Sequence, residues 1–380
     1  MQEPAFTIGI EEEYHLVDIE SRDLVRDPPD ALMEACRQRL GDKVTGEFLR
    51  SQIEVGTGIC RRARDASAEL QEMRAAIADA GAEFGIAPIA ASTHPFARWA
   101  DQSPTDKERS KDLAHDMQVV ARRLLICGMH VHVGIDDDDL RIDILNQARY
   151  FLPHILALST SSPFWQGRDT GLACYRLSVF DQLPRSGLPD RIDSWAAYQR
   201  TVAVLIKSGM IEDTSKIWWD LRPHGTFPTL ELRICDLCPS REDGVALAAL
   251  FTCLCRMLYR LRRLNQRWRT YDTFLLNENR WRAQRYGIDE GLIDFGRGEV
   301  VAFSDLLDEL IELVEEDASA LDCVAEIAHL RTILARGTSA RRQRARYEAL
   351  RAEGVDDAAA FREIIDGLIH ETQHGIDAAA

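Results

Sequence analysis

Three consecutive glutamates near the start of the chain constrain its fold more than any other feature. The segment 7–18 reads TIGIEEEYHLVD, and its isoleucine, threonine, tyrosine and valine residues favour a β-strand. Side chains alternate between the two faces of a strand, so Glu11 and Glu13 point one way and Glu12 the other. Two carboxylates on one face repel each other unless a cation lies between them, and oxygen ligands suit a divalent cation. The alternative is a solvated strand face. For Glu12 we expect a separate salt bridge, buried or facing a helix.

Length and charge narrow the classes of protein that the chain can form. Its 380 residues suffice for one large domain or for two or three smaller ones, and 46% of them are hydrophobic. The net charge of −16 disfavours nucleic acid and anionic membranes as partners, because both attract clustered lysine and arginine. An acidic protein can still bind ATP where Mg²⁺ and local arginines offset the repulsion.

The sequence also favours a soluble, cytoplasmic protein with reduced thiols. The first strand begins near residue 6, which leaves no room for a signal peptide, and the longest apolar run, Val245–Cys255, is shorter than the roughly 20 residues of a membrane span. Nine scattered cysteines, an odd number, suit free thiols better than a disulfide framework. The HETQH segment at 370–374 matches a zinc-protease pattern, but its polar, alanine-rich context favours an ordinary helix.

Further polar side chains lie on other predicted strands. Glu54 lies between Ile53 and Val55 on a short strand that ends at a glycine turn, where a carboxylate could bind a metal or an amino group. His130 and His132 are two residues apart in a glycine-bracketed strand and therefore share a face, which favours a ligand or phosphate site over two structural histidines.

A fourth strand, residues 229–236, carries Glu231 and Arg233 on one face between apolar residues. A charge pair on an otherwise buried strand indicates a functional site rather than solvent-exposed surface residues. Arg185 lies in a loop whose shape is fixed by Pro184, Gly187 and Pro189, so it could bind a carboxylate or phosphate. The alternative for Arg185 is an ordinary surface arginine.

Helices are predicted from apolar periodicity over most of the remaining chain. The predicted ranges are 30–40, 65–84, 105–124, 140–159, 191–208, 240–265 and 277–287. Within the last of these, Asn279, Arg282 and Arg285 recur every three residues and would line one helix edge, where the arginines could meet phosphates. A merely polar helix face is the alternative.

Together, the polar strands predict a binding face on an antiparallel sheet. Carboxylates with an imidazole and nearby arginines suit Mg²⁺ or Mn²⁺ that carries nucleotide phosphates. The sequence contains no GxxxxGK[ST] loop and no protein-kinase signature, which excludes those two classes of ATP-binding protein. Two or three metal ions on this face would bridge the phosphates of ATP and orient the transferred phosphoryl group.

Five segments carry a resemblance to a known family. They follow the family's order and are spread from the N-terminus to about residue 295: GIEEEY (9–14), GMHVHVG (128–134), LPRSGLP (183–189), LELR (230–233) and ENRWRA (278–283). With these segments the chain resembles the carboxylate–amine ligases, also called glutamate–cysteine ligase type 2, within the glutamine synthetase-like superfamily.

The resemblance implies an α+β, glutamine synthetase-like fold. It implies a curved antiparallel sheet of about six strands, with helices packed on its outer face. Residues 1–380 would form one catalytic domain, with 300–380 as a mostly helical C-terminal segment.

The resemblance also implies roles for individual residues. The implied metal ligands are Glu11, Glu13, Glu54, His130 and Glu231. The resemblance places His132 beside the nucleotide, Arg233 at its phosphates and Arg282 at a phosphate or substrate carboxylate. The helix edge adds Asn279 and Arg285 as predicted contacts to ATP. Three residues are expected to act in catalysis. Arg233 would stabilise the transferred phosphoryl group, Arg185 would bind phosphate or the substrate carboxylate, and Glu54 is the third.

The implied reaction is an ATP-dependent ligation in two steps. ATP phosphorylates a carboxylate to an acyl phosphate, and an amine then displaces the phosphate to form an amide. The family's name implies a glutamate-like carboxylate and cysteine or another amine. Two further hypotheses remain: a guanidino or amine kinase or a peptide or protein carboxyl ligase on the same scaffold, and a non-catalytic regulator that binds ATP and metal. Trp218, Trp219 and the apolar helix 245–258 offer surface for a homodimer.

Overall fold

A computed structural model describes residues 2–106 and 117–374 of the chain, and the strands that it contains are short except for the first. The strands are β1 (Ile8–Asp18), β2 (Val44–Gly46), β3 (Gln52–Gly56), β4 (Ile86–Ile89), β5 (Met129–Gly134), β6 (Phe164–Trp165), β7 (Arg168–Asp169), β8 (Ser186–Gly187), β9 (Trp218–Trp219), β10 (Leu221–Pro223), β11 (Thr229–Leu232), β12 (Leu292–Asp294) and β13 (Glu299–Val301).

Seven of these strands form one antiparallel sheet in the order β10-β11-β5-β1-β3-β2, with β4 also paired to β1. Strand β1 is long enough to pair with three neighbours, because its first half lies between β5 and β3 while its last residues pair with β4. Its burial alternates as predicted: Ile8, Ile10, Glu12 and Tyr14 are buried. Three two-stranded pairs, β6–β7, β8–β9 and β12–β13, lie outside the sheet.

Helices account for most of the remaining described residues. They are α1 (Asp30–Leu40), α2 (Ala63–Ala82), α3 (Val119–Arg122), α4 (Asp138–Ala148), α5 (Leu152–Ser159), α6 (Arg176–Phe180), α7 (Trp195–Lys207), α8 (Arg241–Arg263), α9 (Thr273–Tyr286), α10 (Phe303–Ala320), α11 (Val324–Arg336), α12 (Ser339–Ala352) and α13 (Asp357–Gln373). Short 3-10 turns occupy Gly41–Lys43, Trp99–Asp101 and Thr214–Lys216.

The predicted helices agree with these bounds in most places. The helix expected over 140–159 is interrupted after Ala148, and Pro153 lies in the first turn of the helix that follows, where a missing N–H costs nothing. Half of the helix expected over 105–124 lies outside the described residues, and its described part contains the short helix Val119–Arg122. The C-terminal region is helical in α10 to α13, as predicted.

The second glutamate of the opening strand joins the sheet to the helical layer. Arg74 of α2 donates from Nε to Glu12 Oε2 at 2.9 Å and from Nη2 to Oε1 at 2.7 Å, and the Tyr14 hydroxyl also donates to Glu12. The same guanidinium donates to the carbonyl groups of Cys238 and Pro239, just before α8. The salt bridge predicted for Glu12 is therefore present, and it links β1, α2 and the approach to α8.

Helix α8 forms the centre of the helical layer. It contacts β1 and β5 on one side and α10 and α11 on the other. Two buried carboxylates fix this packing: Asp317 of α10 accepts from Arg256 and Arg260, and Asp243 of α8 accepts from Arg336 of α11. Ion pairs that are buried with matched partners hold one arrangement of helices.

The burial of α8 bears on two expectations from the sequence. By length and composition α8 is the one helix in the described residues that could cross a membrane, but it is mostly buried inside the protein. Neither α8 nor Trp218, which is 8% exposed, offers the surface that the sequence suggested for a homodimer. Helix α8 and Trp218 pack within the chain, whereas Trp219 is half-buried, and the homodimer itself stays a prediction. All nine cysteines are buried and unpaired by disulfides.

We expect Glu12→Gln to destabilise the fold by about 3–5 kcal/mol, because it leaves the Arg74 guanidinium buried without its counter-charge. Denaturant unfolding followed by circular dichroism measures this loss as a lower midpoint. Glu348→Gln, on an exposed part of α12, is the matched control and should change stability by less than about 0.5 kcal/mol. Equal midpoints for Glu12→Gln and the control would contradict the account of this ion pair.

Candidate active site

The strand register brings the predicted polar residues together on the second face of the sheet. Residues paired directly across antiparallel strands point to the same face. The pairs are Arg222 with Glu231, Glu231 with His132, His130 with Glu11, and Glu13 with Glu54. This face therefore runs from arginine and glutamate on β10 and β11, through two histidines on β5, to the carboxylates of β1 and β3.

A cavity of about 420 Å³ lies over this face. Its acidic lining residues are Glu11, Glu13, Glu47, Glu54 and Glu231, and its basic ones are Arg176, Lys216, Arg222 and Arg233. His130 and His224 also line it, together with polar residues and a set of apolar side chains. The cavity thus contains both carboxylates that could hold cations and cations that could hold anions.

One candidate metal group consists of Glu11, His132 and Glu231, whose ligand atoms all lie within 4.8 Å of one another. His132 Nδ1 lies 3.1 Å from the Thr229 hydroxyl, while its buried Nε2 makes no hydrogen bond within the described residues and lies 3.2 Å from Glu11 Oε1. An imidazole that donates from Nδ1 presents a lone pair at Nε2, as in histidine metal ligands. The donor set therefore fits a divalent cation.

The second candidate group consists of Glu13, Glu47 and Glu54. Burial, and next the charge of Glu47, raise the pKa of Glu13 to about 8. Burial, and next a hydrogen bond with Glu47, raise the pKa of Glu54 well above its ordinary value. Three carboxylates this close disfavour their own ionised forms, and a divalent cation would reverse that preference.

Glu231 has a different electrostatic environment from the second group. Burial opposes its ionisation, but the positive charges of Arg233 and Arg222 outweigh burial and lower the pKa of Glu231 below its ordinary range. Arg222 donates to both carboxylate oxygens, from Nε at 2.8 Å and from Nη2 at 3.2 Å, and Arg233 donates to Oε1 as well. The buried Nε of Arg233 has no hydrogen-bond partner within the described residues, so this guanidinium retains a free donor.

His130 lies between the two candidate groups. Its Nδ1 is 3.0 Å from Glu11 Oε2, and its Nε2 is 4.0 Å from Glu13 Oε1. Burial, and next the charge of Arg233, lower the pKa of His130 to about 4, so the imidazole is neutral near pH 7. A neutral imidazole is the form that binds metals. The sequence predicted His130 as the metal ligand and His132 as the nucleotide contact, whereas the tighter three-ligand group contains His132.

Glu47 and Arg176 are among the cavity residues that had no predicted role. Glu47 follows β2, and extending the two-residue period of that strand from Thr45, which pairs with Glu54, points Glu47 to the same face. That signal was present in the sequence. Arg176 of α6 is buried and donates from both terminal nitrogens to the carbonyl oxygen of Arg233, each at 3.3 Å. No sequence pattern indicates that contact, because it joins segments 57 residues apart.

The three α9 residues predicted to contact ATP do not line the cavity. Asn279 exchanges two hydrogen bonds of 2.8 Å with the backbone of Ile293. Arg282 donates to the carbonyl groups of Gly291 and Glu290, and Arg285 to that of Gly171. Their side chains join α9 to neighbouring loops, so the structure gives no support to the predicted nucleotide contacts.

Arg185 supports the cavity without lining it. Its backbone has a φ of +62°, its Nε donates to the Lys216 carbonyl at 2.9 Å, and its guanidinium lies 5.4 Å from the ring centre of Trp218. Lys216 and Trp218 both line the cavity. These contacts position the segment around Lys216 and Trp218, and the contact of Arg185 with phosphate or carboxylate stays a prediction.

Comparison with known proteins agrees with this geometry. The family model described as glutamate–cysteine ligase family 2 (GCS2) matches residues 7–369. A protein of Rhodospirillum rubrum is 57% identical over 100% of this chain and 99% of its own length, and one of Jannaschia sp. is 59% identical over 96% of each. Both carry the name "Putative glutamate--cysteine ligase 2".

Two solved structures share the fold at 15% sequence identity. A bifunctional glutathione synthetase from Pasteurella multocida has a TM-score of 0.70 over 97% of this chain, which spans only 52% of that longer protein. A glutamate–cysteine ligase from Francisella tularensis in complex with AMP has a TM-score of 0.64, over 100% of this chain and 91% of that one. The predicted glutamine synthetase-like α+β fold is confirmed, with seven strands in the main sheet rather than about six.

The match of the family model over nearly the whole chain, and relatives above 50% identity over their full length, also confirm the predicted ligase class. The chain belongs to glutamate–cysteine ligase family 2.

Proposed function

We propose that this protein is an ATP-dependent carboxylate–amine ligase of the glutamate–cysteine ligase type, which forms an amide through an acyl phosphate. The observation that carries the proposal is the arrangement on the sheet, where two groups of metal-ligand atoms share one face and five of their six residues line a cavity together with Arg222 and Arg233. The AMP bound to the Francisella ligase and the names of the relatives support ATP, a glutamate-like carboxylate and an amino-acid amine as substrates.

The proposed reaction has two steps. A carboxylate oxygen of the first substrate attacks the γ-phosphorus of ATP, and the bond to the β-phosphate oxygen breaks as ADP leaves. The nitrogen of the amine then attacks the acyl carbon. Its C–N bond forms as the C–O bond to phosphate breaks, and the departing phosphate takes up the proton that the amine loses.

We assign two divalent ions, Mg²⁺ or Mn²⁺, to the two ligand groups. Glu13, Glu47 and Glu54 would hold one ion, while Glu11, His132 and Glu231 would hold the other. His130 could complete either group, since it contacts Glu11 and lies 4.0 Å from Glu13. When bound, these ions supply positive charge to the phosphate oxygens of ATP.

The arginines of the cavity are positive charges that belong to the protein itself, and they would stabilise the negative charge of the transferred phosphoryl group. Arg233 has a free Nε donor and would bind the phosphoryl group during transfer. Arg176 holds the backbone of Arg233 in place, and Arg222 holds Glu231 by two hydrogen bonds. Glu54, which the sequence suggested as a catalytic group, is here a metal ligand that also borders the acceptor side.

We also propose that the chain forms one catalytic domain that acts in the cytoplasm. Helix α8 contacts the sheet and the C-terminal helices alike, which supports a single folding unit. The burial of α8 and the acidic net charge of −16 support a protein that binds neither membranes nor nucleic acid.

Trapping with hydroxylamine tests the proposed acyl phosphate. With ATP, Mg²⁺ and a panel of carboxylates that includes glutamate, we expect the protein to form a hydroxamate, because hydroxylamine attacks an acyl phosphate without needing a specific amine site. Arg233→Ala should lower the rate about 10²–10³-fold, as expected for a lost preorganised donor. Glu278→Gln, an exposed residue of α9 outside the cavity, should retain the rate. ATP turnover with no hydroxamate from any carboxylate would contradict the ligase and favour a kinase.

Binding of Mn²⁺ tests the carboxylate group around Glu13. Because the pKa of Glu13 is raised to about 8 without a cation, its carboxyl group is mostly protonated at pH 7 and the ion must displace that proton. We therefore expect the affinity to rise as the pH rises from 6 to 8, with proton release on binding. Isothermal titration in buffers of different ionisation enthalpy measures both quantities.

Glu47→Gln should weaken this binding at least about tenfold and should also reduce proton release, because it removes a ligand and lowers the repulsion on Glu13. Glu348→Gln is the matched surface control. Mn²⁺ binding that is independent of pH and insensitive to Glu47→Gln would show that the ion does not bind here.

A further inference from the structure

Arg280 lies within the ENRWRA segment of α9, and its guanidinium makes four hydrogen bonds to two carboxylates. Nε and Nη2 donate to Asp220 Oδ2 and Oδ1 at 2.7 and 3.1 Å. Nη1 and Nη2 donate to Asp181 Oδ2 and Oδ1 at 2.7 and 2.8 Å. Both pairs are bidentate, which is the geometry in which an arginine holds a carboxylate most firmly. One guanidinium therefore joins two acidic residues from separate parts of the chain.

The two carboxylates belong to the two segments that hold the backbone of Arg233. Asp220 lies between β9 and β10, and its carbonyl group accepts the backbone N–H of Arg233 at 2.8 Å. Asp181 directly follows α6, whose first residue, Arg176, donates to the Arg233 carbonyl at 3.3 Å. Each backbone polar group of Arg233 is thus held by one of the segments that Arg280 joins.

Burial makes this link a rigid one. Asp220 is 1% exposed and Arg280 7% exposed, so neither charge has water as an alternative partner. Gln284, one turn further along α9, donates to the Ser178 hydroxyl at 2.8 Å and adds a second contact between α9 and α6. Arg280 is not among the described residues that line the cavity, so any effect on the reaction has to pass through a residue that does.

We propose that Arg280 is the positioning residue for Arg233. By joining Asp181 to Asp220 it keeps the Arg233 guanidinium where the transferred phosphoryl group would lie. This inference rests on the proposed ligase function, in which Arg233 binds that group. A preorganised donor stabilises a transition state only in the correct place, and a displacement of about 1 Å can cost about 10²-fold in rate. The effect of Arg280 should therefore appear in kcat rather than in substrate binding.

Two variants test the inference in the hydroxylamine assay. Arg280→Lys keeps the positive charge but cannot form two bidentate pairs. We expect it to lower kcat for the hydroxamate at least about tenfold, while the KM values for ATP and for the carboxylate change less than about threefold. Asp181→Asn weakens one of the two pairs at a side chain that is 33% exposed, and it should lower kcat in the same direction by a smaller factor.

Arg256→Lys is the matched control for loss of a buried ion pair. Arg256 donates to the fully buried Asp317 at 2.7 Å in the helical layer and is not among the described residues that line the cavity. Its replacement should lower the midpoint of denaturant unfolding, as Arg280→Lys does, but it should keep the wild-type kcat. The comparison separates a loss of position at Arg233 from a general loss of stability.

A double variant tests whether Arg280 acts through Arg233. In a chain that already carries Arg233→Ala, the guanidinium that Arg280 positions is gone. We therefore expect Arg280→Lys to lower kcat by less than about twofold in that background, because residues that act as a unit are not additive. Loss of the full factor in both backgrounds would show that Arg280 acts elsewhere.

The outcomes distinguish this inference from the proposed function. If folded Arg280→Lys loses stability but keeps the wild-type kcat, the inference is overturned and the ligase is intact. A raised KM for ATP at unchanged kcat would overturn it as well, since Arg280 would then act on nucleotide binding. Should Arg280→Lys fail to fold, Asp181→Asn decides by the same criteria. Absence of hydroxamate from the wild-type protein would overturn both the proposed function and this inference.

Discussion

The two-residue period of β1 is the constraint on which the rest of the structure depends. It sends Glu12 into the helical layer and Glu11 and Glu13 to the cavity, so one strand carries both the main structural ion pair and a share of each candidate metal group. The pairing register then places the other cavity residues. Strands β3 and β5 pair with β1 and bring Glu54 and His130 to the same face as Glu11 and Glu13. A one-residue slip of β1 would exchange the structural and the cavity-facing carboxylates.

The cavity owes its chemistry to an uneven distribution of charge along the sheet. At one end, Glu231 lies between two arginines and its pKa is lowered below its ordinary range. At the other, Glu13 lies among carboxylates and its pKa is raised to about 8. Glu231 has two direct guanidinium partners, whereas the charge of Glu47 opposes the ionisation of Glu13. A divalent cation would therefore change the electrostatics of the second end more than those of the first.

The sequence predicted the cavity residues whose position follows from the two-residue period of a strand. It missed residues whose position depends on the path of the chain between strands. The sequence placed seven residues on strands: Glu11, Glu13, Glu54, His130, His132, Glu231 and Arg233. Six of them line the cavity, and His132 lies on the same face of the sheet, paired with Glu231. Glu47 lies just after β2, and Arg176 is the first residue of α6. The error over Arg282 has a related cause: spacing on a helix shows which residues share an edge but not what that edge meets. Loop shape has the same effect for Arg185, because its loop directs the side chain toward the Lys216 carbonyl.

Glu231 connects one candidate metal group to the arginines, because its carboxylate oxygens accept hydrogen bonds from two guanidinium groups and also belong to that group. Arg222 and Arg233 both donate to it, and one of its oxygens also belongs to the group with Glu11 and His132. A cation bound to that group would compete with the guanidinium groups for the same oxygens. Arg222 keeps further hydrogen bonds to backbone carbonyls, including Ile217, whereas Arg233 has an unpartnered Nε. Competition would therefore release Arg233 rather than Arg222, and a released guanidinium binds phosphate better than one engaged with a carboxylate.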